Sequence, residues 1–465
     1  MGKNPNGPRG YPFIGSLPNL ASSKRVDWLQ SISTTYGDVV EFKLFKKNFY
    51  LVNHPDLIKE ILTCDIDNYT KKTISFKFIK EVLGESTFTA MGDDWRRKRL
   101  TVQPSFRNAS ISNLAIIMTD CIEEFLTEWE SECDRGDRVE LSTAMMHLTL
   151  KVVVKALFSS TLSDTDFRDI TKVFKPLLEA VNTRISFPVK MLYRLPLNKN
   201  KKYQGYIETL DVIIYRIIGD RRLATNKPKD LLQMLMDATN EETGLPLTDR
   251  ELRNELMTMF IAGHETTANA MSWLWTILSN KSDIREKIEQ EVDEVLGDRT
   301  PDARDFANLP YCLKVFKETM RLYPPVPILP RHVKSDTTLG GYKIKGGSGV
   351  LFSPHLLHRH PNFWDAPEIF DPNRFGKEEE RKRHTYAYLP FGGGARVCID
   401  NNFALMEAVF IIAMTTQRFR VNLDSDTNFE PLVGLTTKPK FPLHALLQRR
   451  RTRNTELAPR FWTVG

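Results

Sequence analysis

A chain of 465 residues, 41% hydrophobic and 26% charged, is long enough to bury a large core, and its net charge of +7 is too mild for a nucleic-acid binder. Its five cysteines are scattered and odd in number, with no CxxC pair, which excludes a disulfide framework or a zinc ribbon and suits a reducing compartment. No run of about eighteen apolar residues encodes a membrane span, and the opening "MGKNPNGPRGYPFIGSL" lacks both a secretory h-region and the Ser or Thr of a myristoylation site, so a soluble, cytoplasmic protein is expected.

"VVEFKLF" and "NFYLVN" predict a β-hairpin within a short β-rich lobe at about 37–53. Amphipathic periodicity then predicts helices over roughly 93–104, 111–132, 141–158, 205–222, 248–280, 283–295, 309–322 and 401–417. Pro and Gly recur at 324–330, 339–349 and 361–376, where short strands and irregular loops are expected. The linker "TNKPKD" at 225–230 is too short to divide the chain, and "RRRTR" at 449–453 reads as a solvated tail. The predicted fold class is mainly α with small β-sheets, as one domain over 1–465.

The longest helix contains an anomaly. Thr248 and Glu251 have the spacing of a capping box, and the pattern runs from there for about 48 Å. In its middle stands "AGHETT", 262–267, where Gly263 weakens a helix and the β-branched Thr266 and Thr267 can bend it. With "MTMFI" before it and "AMSWLWTIL" after it, that centre is predicted buried. There an acid and an alcohol, Glu265 and Thr266, point to function rather than to a polar surface strip.

Glu318 and Arg321 in "ETMR" fall on one helical face, where they can pair. Their apolar neighbours predict burial, and a buried pair needs further partners to offset desolvation. Arg374 in "FDPNRF" is a candidate third member. The three histidines of "SPHLLHRHP" (His355, His358 and His360) hint at a metal site, a reading we set aside in favour of an ordinary loop.

"FGGGARVCID", 391–400, places Gly392, Gly393 and Gly394, then Arg396 and Cys398, directly before an apolar helix. Glycines let backbone approach something flat or bulky, an arginine can hold its anionic group, and a helix N-terminus favours a thiolate. No matching His motif supports a nucleophilic cysteine, whereas thiolate ligation of haem iron suits all three features. Cys64, Cys121, Cys133 and Cys312 carry no such context and read as structural.

These motifs, with "WRRKR" at 95–99, resemble the cytochrome P-450 family in the family's order and over nearly the whole chain. The resemblance implies a prism-shaped α-rich fold with haem b between the long helix and the cysteine loop. It implies Cys398 as the iron ligand and only metal ligand, Trp95, Arg99, Arg396 and Arg331 as propionate partners with His358 as a further candidate, and Gly392 in the cofactor loop. Glu318, Arg321 and Arg374 would brace that loop, and Glu265 and Thr266 would deliver protons to bound O2. The implied activity inserts one atom of O2 into a C–H bond of an apolar substrate. Fatty acids lead, then terpenoids, steroids and xenobiotics, with 75–79, 88–91, Ala262 and 326–330 lining the pocket. A peroxygenase, an isomerase or a haem sensor is the alternative.

NAD(P)H would supply electrons through a separate acidic flavodoxin, ferredoxin or flavin reductase. That partner is expected to dock near Cys398 against Arg96, Arg97 and Lys98 of a monomer that binds no nucleic acid. "GPRGYPFIGSL" is similar to the segment after the anchor of microsomal relatives, so a membrane-associated protein without its anchor is the alternative location. The chain departs from the family at Asp400, where Gly is usual. Its carboxylate is expected to suit the first helical turn and to place negative charge near the thiolate and the docking face.

Overall fold

In the computed structural model, which describes residues 2–159, 163–186, 193, 195–240, 242–424 and 427–450, the predicted hairpin forms as β1 (Val39–Leu44) and β2 (Lys47–Val52). Alternation explains it: Val40 and Phe42 are buried while Lys43 is exposed. The hairpin belongs to a larger sheet than the sequence suggested. β3 (Tyr69–Thr70), β4 (Leu329–Val333) and β5 (Gly349–Phe352) join it in the order β1-β2-β5-β4-β3, with β5 parallel to β2. Gly349 is required there, because a Cβ would lie 2.3 Å from the Phe49 ring across the pair.

The helices that position the site are α1 (Pro55–Thr63), α2 (Ile74–Leu83), α3 (Gly92–Val102), α4 (Ala115–Arg135), α5 (Leu141–Phe158), α6 (Asp164–Ser186), α7 (Asn198–Leu223), α8 (Asp249–Ser279), α9 (Ser282–Val295), α10 (Pro310–Leu322) and α11 (Asn401–Arg418). α8 carries both halves of the capping box: the Glu251 amide donates to Thr248 Oγ1 (3.3 Å) and the Thr248 amide to Glu251 Oε2 (3.0 Å). α8 packs most extensively on α5, and Gly263 marks the approach, since a Cβ there would meet Val153 Cγ2 at 3.1 Å. α5 is the one described helix long and apolar enough to cross a membrane, and 61% of it is buried inside this protein.

Helices α1, α2 and α6 carry no prediction in the sequence reading. α6 accommodates Pro176 in its interior, a residue that ordinarily ends a helix, and it buries Phe174, Leu177 and Val181 against the helical core. The basic tail is corrected in part. Arg449 pairs with Asp134, and Arg450, 7% exposed, pairs with Asp293, so neither is merely solvated. Residues 451–453 of that run lie outside the described residues.

Candidate active site

The loop before α11 closes on itself. The Cys398 amide donates to the Phe391 carbonyl (3.0 Å), and Gly392 and Gly394 adopt φ of 72° and 65°, which favour glycine. Gly394 has a second reason: a Cβ would sit 2.3 Å from the Leu62 carbonyl of α1. That tight approach is thus to protein backbone, while Gly392 faces open space. α3 ties the loop from the other side, through Arg99 Nη1 donating to the Val397 carbonyl (3.1 Å).

The Cys398 side chain is exposed. Its enclosure by protein elsewhere pushes the thiol up to about 11, with Asp400 adding to the rise and Arg99 and Lys71 opposing it. Around it the sequence-predicted cations assemble. Arg396 lies 3.8 Å above the Trp95 ring, and its Nη1 is buried without a partner. Arg331 is 6% exposed, and burial pushes its guanidinium down to about 10. Arg331 and Arg99 both repel Arg396, whose own value falls to about 9, chiefly through burial.

Sequence reasoning missed a fourth cation. Lys71 donates to the Phe88 carbonyl (3.1 Å), lies over the Phe76 and Phe88 rings, and feels Arg331, Arg396, Arg99 and Cys398 together. Burial and the three guanidinium groups hold it well below its ordinary value, with Cys398 opposing. Only its position in "YTKK", just before a helix that the periodicity reading passed over, could have flagged it. Four crowded cations, one of them with an orphaned buried nitrogen, suit a group carrying two carboxylates.

Two expectations are corrected here. His358 is fully buried; its Nε2 accepts from the Leu389 amide (2.8 Å), which leaves Nδ1–H to donate to the Arg321 carbonyl (3.3 Å). Both nitrogens are spent on backbone, so the ring is a brace rather than a propionate partner, and burial pushes it down to about 3. Asp400 is the N-cap of α11 but makes no capping bond. Its Oδ1 is buried without a partner, and burial pushes the carboxyl up to about 8, so it is not the open first-turn charge that the sequence suggested.

The structure brings Glu318, Arg321 and Arg374 together. Arg321 donates Nε to Glu318 Oε2 (2.7 Å) and Nη2 to Oε1 (2.8 Å), and both side chains are fully buried. Its remaining donors reach the carbonyls of His358, Pro367 and Ile369, the partners that such a buried pair requires. Arg374 joins at 3.5 Å from Glu318 Oε1. Desolvation nonetheless raises the Glu318 carboxyl, with Arg321 opposing.

On α8, Ala262 is exposed and Thr266 half-buried, while His264, Glu265 and Thr267 are buried. Thr266 Oγ1 donates to the Ala262 carbonyl (2.9 Å). Glu265 does not pair with it; its Oε1 accepts from Thr436 Oγ1 (3.0 Å), and burial raises its carboxyl. The pocket segments 75–79 and 88–91 do meet, with Phe76 stacked on Phe88 at 5.3 Å.

A cysteine loop with Lys71, Arg99, Arg331 and Arg396 about it, and a long helix carrying Thr266, suit a haem-thiolate site. The comparisons agree: the Cytochrome P450 model matches residues 5–444, and the chain belongs to that family. Cyclooctatin synthase of Streptomyces melanosporofaciens is 33% identical over 435 residues, 93% of each chain. Cyclooctat-9-en-7-ol 5-monooxygenase of the same organism is 29% identical over 414 residues, 89% of this chain and 88% of that one. The crystal structure of the cytochrome P450DA heme domain superposes with a TM-score of 0.88 at 24% identity, covering 97% of this chain and 99% of that one, a likeness of fold. The chain is accordingly a haem-dependent monooxygenase of an apolar substrate.

Proposed function

We propose that Cys398 would ligate the iron of haem b, and that Lys71, Arg99, Arg331 and Arg396 would hold its propionates. One observation carries this: four cations and Cys398 interact with one another, and the carboxyl that acts on Cys398, Asp400, is pushed up to about 8. Bound there, haem supplies O2 activation, and thiolate donation favours O–O cleavage. Cys398→Ser is expected to lose the red-shifted carbon-monoxide band of the reduced protein, while Cys312→Ser keeps it. A band that survives in Cys398→Ser overturns the assignment.

Thr266 is the group placed to pass a proton into the cavity, by turning Oγ1 away from the Ala262 carbonyl. Glu265 holds its proton to higher pH than an ordinary carboxyl and resupplies Thr266 once it leaves Thr436. The substrate we infer is a terpenoid, because relatives of nearly the same length bear the names cyclooctatin synthase and cyclooctat-9-en-7-ol 5-monooxygenase. Titration of the holoprotein with cyclic terpene alcohols and with long-chain fatty acids, read as the haem spin-state shift, tests this. A shift with fatty acids alone sinks it.

A separate acidic flavodoxin, ferredoxin or flavin reductase, fed by NAD(P)H in the cytoplasm, is the inferred electron donor. Lys98 is buried on Asp94, and Arg97 is paired with Asp94 and Glu251, so neither is the free charge that the sequence reading made it. Arg96 on α3 and Arg107, beside the Asn108–Asn402 contact to α11, are exposed and take that role.

A further inference from the structure

Arg184 stands on the last turn of α6 and Tyr203 near the start of α7, and they are 5% and 1% exposed. The Arg184 guanidinium carbon lies 3.5 Å from the centre of the Tyr203 ring and 4.9 Å from that of Tyr193. Its Nη1 donates to the Ala180 carbonyl (3.3 Å) and its Nη2 to Asn200 Oδ1 (3.1 Å), so both bonds end on neutral oxygens. Its Nε is buried without a partner, and so is the Tyr203 hydroxyl. A buried donor left unmet costs free energy, and a buried tyrosine ordinarily finds a partner.

Contacts tie this pair to the site. Tyr193 meets Phe78 of α2 edge-on (5.6 Å), and α2 also carries Phe76, stacked on Phe88 with Lys71 over both rings. Along α6, Phe174 packs edge-on against His264 (4.2 Å), two residues before Thr266. Asn182 Oδ1 accepts from the Leu435 amide (2.9 Å), beside Thr436, which donates to Glu265. Arg184 is thus linked through α2 to the pocket segment 75–79, and along its own helix to the Glu265–Thr266 stretch.

Both unmet groups are donors. Nε–H of a guanidinium can only donate, and the Tyr203 hydroxyl keeps its proton, because burial raises it, with Glu81 adding and Arg184 opposing. Their complement is an oxygen with free lone pairs. We propose that Arg184 and Tyr203 form a polar subsite that receives an acceptor oxygen of the substrate, a hydroxyl or a carboxylate, at an end other than the one oxidised. Apolar burial alone is non-directional, whereas two convergent donors fix which end of a mostly apolar molecule points towards Thr266. The subsite rests on the monooxygenase reading of the site and narrows the terpenoid class to its oxygenated members.

The test is titration of the holoprotein, read as the haem spin-state shift, with abietic acid, abietinol and abietadiene. These diterpenes share one skeleton and end in a carboxylate, a hydroxyl and a methyl group; palmitic acid and hexadecane form a second, linear pair. Wild type is expected to bind an oxygenated probe about tenfold or more tighter than its hydrocarbon. Tyr203→Phe and Arg184→Met are each expected to lose about tenfold for the oxygenated probe while binding the hydrocarbon no more weakly. Tyr203→Phe keeps the ring beside Arg184 and removes an unmet donor, so its thermal midpoint should not fall. Wild type that favours no oxygenated probe over its hydrocarbon, or variants that keep the preference, overturns the proposal, and water is then the partner of the two donors. A preference confined to palmitic acid and lost in both variants upholds the subsite and sinks the terpenoid reading instead.

Discussion

Glu255 projects from α8 about three turns before Thr266, with 1% of its surface exposed. Its Oε1 accepts from the Thr87 amide (2.6 Å) and the Thr87 hydroxyl (3.0 Å), which pins the loop that carries Phe88 to the long helix. Burial pushes this carboxyl from 4.5 up to about 7, with Thr87 and Lys98 opposing and Glu251 adding slightly. An acid with a raised folded value keeps a proton that the unfolded chain releases, so stability is fully present below 4.5 and is lost as pH rises through about 7. At about 1.4 kcal/mol per unit, the whole span is worth about 3 kcal/mol. Glu255→Gln retains the accepting oxygen and cannot ionise. In urea unfolding, the variant and wild type should differ by about 1 kcal/mol at pH 5 and by about 3 kcal/mol at pH 8, the variant being the more stable. Unfolding midpoints that run parallel across that range would refute the argument.

Thr266→Ala should release more peroxide per NADPH consumed while substrate affinity changes little, as read by parallel peroxide and spin-state assays. Arg321→Lys leaves at most three donors where the guanidinium serves Glu318 and three carbonyls. It should cost about 3–5 kcal/mol, seen as loss of haem retention and of the unfolding midpoint. Arg96→Glu with Arg107→Glu should slow first-electron transfer at low ionic strength, an effect that salt erases in stopped-flow reduction.

What the sequence could and could not reveal follows the range of each interaction. Helix α8 was legible because its capping box is local and its apolar flanks are long, and both ends fall within one residue of expectation. The Glu318–Arg321 pair was legible because three residues on a helix always share a face. Lys71 was not, because its cation neighbours Arg99, Arg331 and Arg396 are distant in sequence, and only the folded chain brings them to Cys398. Glu265 shows the complementary failure. Adjacency to Thr266 suggested a pair, yet successive helical residues point about 100° apart, and the carboxyl instead finds Thr436, in the turn between the paired segments Pro431–Val433 and Thr437–Pro439. His358 failed for a third reason: whether a buried imidazole meets a ligand or backbone depends on what its two nitrogens meet, and the Leu389 amide and Arg321 carbonyl are contributed by two distant segments. Residue type suggested chemistry at all these positions, but partner identity decided it. The site's cation ring and its brace are therefore separate constructions. Arg99 belongs to the first and also donates to the loop backbone at Val397.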